Sequence, residues 1–192
     1  ATLLPEIAAL EGVQQPPEYH PEGDVWTHTV RTVQFLERPG PVLAWAALLH
    51  DIGKPATQIR TDRIRFHQHE AVGADMAARI AARLRLSRDQ TTDIVRLVAE
   101  HMRLRHAGQM RPGRLRRLLR QPHAADLLEL HRADCLASHG DLSIHALCRA
   151  EMAAADSAGP ARQRLLTGAD LRRLGFRPGP AFRRILEAVE EA

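Results

Sequence analysis

Residues 48–58 read LLHDIGKPATQ. An apolar helical run ends in His50 and Asp51, side by side, and Gly53, Lys54 and Pro55 follow at once. Packing alone requires no imidazole and carboxylate at a helix end. A metal ion does, because histidine nitrogen and carboxylate oxygen suit divalent first-row metals or magnesium. The run Leu43 to His50 is apolar on nearly every side, which places that helix in the middle of the domain. Adjacent side chains on a helix point about 100° apart. At a helix end, where Gly53 releases the chain, His50 and Asp51 can converge on one ion or bridge two. Asp51, with two oxygens, is the natural bridge, and such a carboxylate holds two cations roughly 3.5–4 Å apart.

Working outward, the 192 residues are rich in alanine, leucine and arginine and poor in aromatics. These are good helix formers, and the length fits one domain with a real core. The expected fold class is all-α, a helical bundle with a short loop or hairpin after the His-Asp pair. The boundaries expected are 1–155 for the main domain and 156–192 for a C-terminal helical extension packed on it. The formal net charge is +4, and Lys54 is the only lysine. An arginine surplus suits an anionic partner such as RNA, or else reflects a compositional bias spread over the whole chain. Arginine is densest from Arg103 to Arg120, which reads as a phosphate-facing patch or a solvated helix face. Cys135 and Cys148 form no CxxC pair. They read as small core residues in a reducing compartment, and the structural zinc patterns are excluded. No apolar run reaches membrane-spanning length and no signal peptide is visible, so a cytoplasmic protein without membrane association is expected. The chain starts at Ala1 and not at methionine, as a trimmed chain or a piece of a longer protein would.

Local signals predict the elements. Thr2 to Leu10 reads as a short helix, and GVQQPPEYHPEGD as a proline-rich connection. In VWTHTVRTVQFLER, residues Val25, His28, Thr29, Thr32, Val33 and Leu36 share a helical stripe, with His28 facing inward. Pro55 is expected to stop the helix after Lys54. TQIRTDRIRFHQHE reads as a loop or hairpin turning near Thr61-Asp62, and His69 to Leu84 as an alanine-rich helix. Ser87 is the N-cap of a helix to His101, and Pro112 opens the arginine-rich helix. Ala124 to His139, containing Asp134, and Ser143 to Ala155 are further helices. DSAGPA reads as a linker, and two short helices broken at Pro178-Gly179-Pro180 end the chain.

The constellation is then His28, His50-Asp51, His69, His101 and Asp134, with His67 as a further candidate just before His69. Each group is on a different predicted element, as a site built from facing helices requires. A single histidine on an apolar face is ordinarily a core residue. His20, His106, His123, His131, His139 and His145 are assigned to that class or to the surface. Lys54 can place its ammonium beside the metals as a point charge for a phosphate oxygen; its alternative role is a solvated lysine at a helix C-terminus.

The pattern H…HD…D formed by His28, His50-Asp51 and Asp134 resembles the HD superfamily of metal-dependent phosphohydrolases, in which HDIGK is a frequent central motif. The extra histidines His69 and His101 resemble the version that holds two metals. LLPEIAALEGVQQPPEYHPEGDVWTHT, FHQHEAVGADMA and LLTGADLRRLGFRPGPAFRRILEAVEE resemble the HD domain of bacterial tRNA nucleotidyltransferases, the CCA-adding and poly(A) polymerase-like enzymes. A similar module precedes the polynucleotide kinase of bacterial RNA end-healing enzymes. The Gly-Ser and paired-aspartate motif of a nucleotidyltransferase head is missing, as is GxxxxGK[ST]. The chain as given is therefore expected not to add CCA, and a covalently linked kinase or nucleotidyltransferase domain is an expected partner.

The resemblance implies an all-helical fold and a phosphodiesterase and phosphatase acting on 2′,3′-cyclic phosphates and 2′-phosphates of RNA ends or nucleotides, with 3′-phosphates as a further class. It implies one or two divalent ions: manganese, nickel, cobalt or iron, with magnesium or zinc as alternatives. The proposed ligands are His28, His50, Asp51 and Asp134, with His69 and His101 holding a second ion. A coordinated water, its pKa lowered from about 16 toward 7, would supply the nucleophile. Asp51 and Lys54 are the catalytic candidates. Lys54, Arg103, Arg105 and His106 are the candidates for phosphate or RNA contact, the last three with surface solvation as the alternative. Scarce aromatics imply recognition of phosphate and ribose over base identity. Two other functions remain open: an HD nucleotidase acting on free nucleotides, and a non-catalytic tRNA-binding module of a nucleotidyltransferase. Serine or cysteine hydrolase chemistry is disfavoured, since no nucleophile elbow appears.

Overall fold

Helix α3 (Pro41–Leu49) is the axis of the structure. Its nine residues, PVLAWAALL, contain no charge, and the helix contributes to two separate apolar clusters. Leu43, Ala46 and Ala47 join Leu97, Leu104, Leu115, Leu118, Leu127 and Leu130 on one side. Leu49 and Ile52 join Ala77, Ile80, Ile94 and Val98 on the other. Leu43, Ala46, Ala47 and Leu49 are buried and most of the other residues of the helix are partly so, which accounts for its uniformly apolar sequence.

The computed structural model describes residues 3–157 and 166–191. The fold is mainly helical. Short α1 (Pro5–Ala8) is followed by an irregular segment and α2 (Val25–Gln34), and α4 (Lys54–Thr57) follows α3. A two-stranded antiparallel hairpin comes next, β1 (Gln58–Arg60) paired with β2 (Ile64–Phe66) in the register Gln58↔Phe66. Then follow α5 (His69–Arg83), α6 (Arg88–Glu100), a 3-10 turn (Leu104–Gln109), α7 (Pro112–Leu119), α8 (Ala124–Ala137), α9 (Ser143–Ser157), α10 (Gly168–Arg173) and α11 (Pro180–Glu191). Helices α2, α6 and α8 pack on α3, and α5 packs on α6. Leu171 of α10 is buried, and α11 lies against α7. Among the described residues, no helix is long and apolar enough to cross a membrane.

The helix ends follow from local chemistry. Asp24 caps α2 by accepting the Thr27 amide at 2.9 Å, and its other oxygen accepts the Gly12 amide at 2.6 Å. That second bond ties the irregular segment to the start of α2. Ser87 and Gln90 form a reciprocal capping box at α6, satisfying two amides that a helix start leaves free. Pro112 occupies the first turn of α7, where a missing N–H costs nothing.

Three expectations change. The first helix is shorter than Thr2 to Leu10. Pro55 does not stop a helix: it stands in the first turn of α4, the position where its fixed φ favours helix entry. DSAGPA is not wholly a linker, since Asp156 and Ser157 belong to α9; its remaining four residues lie outside the described ones.

Candidate metal centre

His50 is the C-cap of α3, so His50 and Asp51 stand in the turn that joins α3 to α4. The turn is pressed against α5 at Gly53. A Cβ there would lie 2.7 Å from the Gly73 amide nitrogen and closer still to the His69 carbonyl oxygen. Gly53 has an ordinary φ of −80°. Its glycine is demanded by close backbone approach to α5, and not by a need to release the chain as the sequence reading had it.

Around this turn the constellation assembles from five elements. His28 comes from α2, His69 from the start of α5, His101 from the C-cap of α6 and Asp134 from α8. His28, His50 and Asp134 offer ligand atoms within 4.8 Å of one another, and so do Asp51, His69 and His101. Asp51 joins the two sets. Its Oδ2 lies 3.2 Å from His50 Nε2 and 3.7 Å from His28 Nε2, while its Oδ1 lies 3.3 Å from His69 Nε2 and 3.8 Å from His101 Nε2. The four histidines and Asp51 are buried, whereas a quarter of the Asp134 side chain is exposed. Asp134 therefore marks the open side of the site.

The outer ring nitrogens are all occupied. His50 Nδ1 donates to the Ala47 carbonyl at 2.7 Å, His101 Nδ1 to the Val98 carbonyl at 2.7 Å and His69 Nδ1 to the Phe66 carbonyl at 3.0 Å. His28 Nδ1 donates to Glu22 Oε1 at 2.6 Å. A proton held on Nδ1 leaves Nε2 as the lone-pair nitrogen of a neutral ring. Those Nε2 atoms face one another, His50 against His28 and His69 against His101, each at 3.3 Å. Facing lone pairs repel unless something positive stands between or beside them. Asp51 Oδ2, buried, accepts no well-aligned hydrogen bond, although Lys54 Nζ is 2.7 Å away as a charge partner. Inward lone pairs, an unsatisfied carboxylate oxygen and a nitrogen–oxygen donor set fit a divalent cation.

Without a cation, a proton on His28 Nε2, 2.9 Å from Asp134 Oδ1, replaces one of these inward lone pairs. Burial opposes charge on His28, but its hydrogen bonds to Asp134 and Glu22 outweigh this and raise it to about 9. Burial and the neighbouring His50 push His101 down to about 3. Burial works against an ionised Asp51, yet His50 and Lys54 hold its carboxyl well below the usual range. His28 also holds Asp134 low against the effect of burial. In the absence of a cation, a proton on His28 takes part of the cation's place.

A protein-family model described as the HD domain matches residues 25–138, more than half of the chain. The chain belongs to the HD domain family. Its relatives include the Multifunctional CCA protein of Aromatoleum aromaticum, 36% identical over 126 residues, 65% of this chain and 31% of the relative. That of Halorhodospira halophila is 39% identical over 115 residues, 59% of this chain and 28% of the relative. That of Pseudomonas paraeruginosa is 34% identical over 187 residues, 89% of this chain and 45% of the relative. The chain thus spans less than half the length of each of these relatives. The matched HD segment contains all six residues of the constellation.

The structure separates the remaining candidates. Lys54 is buried beside the constellation. Its Nζ donates to Gln15 Oε1 at 2.5 Å and sits 5.4 Å from the centre of the Phe66 ring, so it is no solvated lysine. Arg103, Arg105 and His106 do not join the HD centre. After His101 the 3-10 turn buries Leu104 and Ala107, which directs Arg105 and His106 to solvent. Arg103 pairs with Glu100 at 2.8 Å. His67 is exposed. His20, assigned above to core or surface, packs edge-on against His28 with ring centres 4.9 Å apart and contacts Glu22 at 2.9 Å. Gln15, His20 and Glu22 went unrecognised because the proline-rich connection has no periodicity to orient its side chains. The one local signal was Gly23-Asp24, a turn and N-cap that fix where Glu22 must point.

Proposed function

We propose that this chain is a metal-dependent phosphoesterase that hydrolyses 2′,3′-cyclic phosphate and 2′-phosphate ends of RNA. Membership of the HD family supports hydrolytic chemistry, and the relatives named Multifunctional CCA proteins support RNA as the substrate class. The observation that carries the reading is Asp51, whose two oxygens face two separate histidine sets.

In this reading His28, His50, Asp51 and Asp134 would hold one divalent cation, and Asp51, His69 and His101 would hold a second. A cation held there supplies Lewis acidity toward a phosphoryl oxygen and a nucleophile at neutral pH. Glu22 and the backbone carbonyls keep the rings oriented. Lys54, held by Gln15 and the Phe66 face, adds a positive charge beside the position of a non-bridging oxygen. The partly exposed Asp134 lies on the side from which a terminal phosphate enters. Manganese, nickel, cobalt or iron fits the nitrogen-rich donor set. A nucleotidyltransferase domain in the same polypeptide is the partner that the relatives' greater length supports.

The test is product formation from 2′,3′-cyclic AMP and from an RNA ending in a cyclic phosphate, with manganese, nickel or cobalt, comparing wild type with Asp51→Ala. Hydrolysis of both by wild type and of neither by the variant is expected. Turnover confined to 5′-nucleotides would replace this reading with that of a nucleotidase. RNA binding without hydrolysis under any metal would replace it with a silent tRNA-binding module.

A further inference from the structure

A hollow of about 520 Å³ lies apart from the HD centre, where the C-terminal turn of α6 meets α7 and the start of α8. Its charged walls are Arg96, Arg103, Arg114 and Arg117, and Glu100 is the one carboxylate among the residues that line it. Glu100 is already engaged: Oε1 pairs with Arg103 at 2.8 Å, and Oε2 accepts from His123 Nε2 at 3.1 Å. Among the described residues, Arg96, Arg114 and Arg117 have no acidic partner. Arg114 and Arg117 are three apart on α7 and share a face, an arrangement that costs stability through like-charge repulsion unless an anion answers it. His123 lines the same hollow, is 8% exposed, and has a buried Nδ1 without a partner.

We propose that this hollow is a second phosphate site, which holds the backbone of an RNA whose end occupies the HD centre. Guanidinium forks match phosphodiester oxygens, and several of them facing one neutralised carboxylate suit a polyanion better than a single small anion. Glu100, held between Arg103 and His123, is answered within the protein, so the remaining guanidinium charge is left for the phosphates of an RNA strand. His101 of the HD centre and Glu100 of the hollow are consecutive residues, so the two sites share the end of α6 and one strand can serve both. The role assigned to this site, positioning a scissile end, rests on the function proposed above, but binding itself does not.

The experiment measures binding of a labelled single-stranded RNA with a 3′-hydroxyl end, which offers no cyclic or 2′-phosphate to hydrolyse, by fluorescence anisotropy over a range of salt. Wild type is compared with the double variant Arg114→Glu/Arg117→Glu and with Arg88→Glu, an exposed arginine outside the hollow. Thermal melts confirm that each is folded. The double variant is expected to bind at least about 10-fold more weakly, with the salt slope reduced by about 1 to 2, and Arg88→Glu to bind as wild type does. Turnover of 2′,3′-cyclic AMP is expected to be equal in all three. Unchanged RNA affinity in the double variant, or an equal loss with Arg88→Glu, overturns the proposal. Loss of cyclic AMP turnover in every protein, wild type included, instead counts against the catalytic reading and leaves the binding result standing.

Discussion

Glu22 Oε1 accepts the Nδ1 proton of His28 across 2.6 Å, in a contact where neither side chain is exposed to solvent. This bond fixes the tautomer and orientation of the ring, so that Nε2 faces His50 and Asp134. Replacing Glu22 by Gln keeps the shape and removes the charge. Outer partners of ligating histidines typically contribute about 10- to 100-fold in metal affinity. Glu22→Gln is expected to weaken manganese binding by about that factor, with little change in KM for 2′,3′-cyclic AMP once metal is saturating. A metal titration followed by activity separates the two.

The proton on His28 gives the cation-free protein a characteristic pH response. His28 stands at about 9 in the folded chain, against an ordinary value of 6.5. A group raised on folding stabilises fully below its unfolded value and ceases to do so as pH rises through its folded value. In chelator, stability should therefore fall between pH 6.5 and 9, by on the order of 3 kcal/mol. Divalent metal should reverse the trend, because the ion and the proton compete for one lone pair. Denaturant melts at pH 6, 7.5 and 9, with and without manganese, check both signs.

Lys54 is the buried cation of the site. Lys54→Met preserves its length and its contact with Phe66 but removes the charge beside Asp51. The expected result is a drop in kcat of about 100-fold, the usual scale for losing one stabilising donor at a reacting group. Manganese affinity should hold or rise, since one competing positive charge is gone. A loss of metal binding equal to the loss of activity would mean that Lys54 only supports Asp51.

Gly53→Ala tests the close approach between the His-Asp turn and α5. The added Cβ meets backbone at both the His69 carbonyl and the Gly73 amide, and backbone cannot rotate away. A cost of about 2 kcal/mol or more is expected. Because α5 carries His69, affinity for a second metal ion should fall more than affinity for the first. Thermal unfolding and metal stoichiometry together check it.

Much of this site was legible because its residues stand at element boundaries with strong local signatures. The apolar run to Leu49 announces a central helix, and an imidazole and carboxylate at its end serve no packing purpose there. Ser87, Pro112 and the Thr61-Asp62 turn are short-range signals that survive in the fold. What stayed hidden depends on contacts distant in sequence. Glu22 and Gln15 belong to a segment without periodicity, and only the packing of α2 and α4 brings them to His28 and Lys54. The arginines after His101 are redirected by a 3-10 turn, which leaves no clear mark in hydrophobic spacing. Gly53 was recognised as necessary, but its reason lies in α5, sixteen residues farther on at His69.

The two histidine sets and Asp51 are arranged as ligands for divalent cations. The most direct measurement is anomalous diffraction from crystals of this chain grown with manganese. Anomalous peaks are expected on either side of the Asp51 carboxylate, one among His28, His50 and Asp134 and one beside His69 and His101. Crystals saturated with manganese that show no peak touching Asp51 would contradict it.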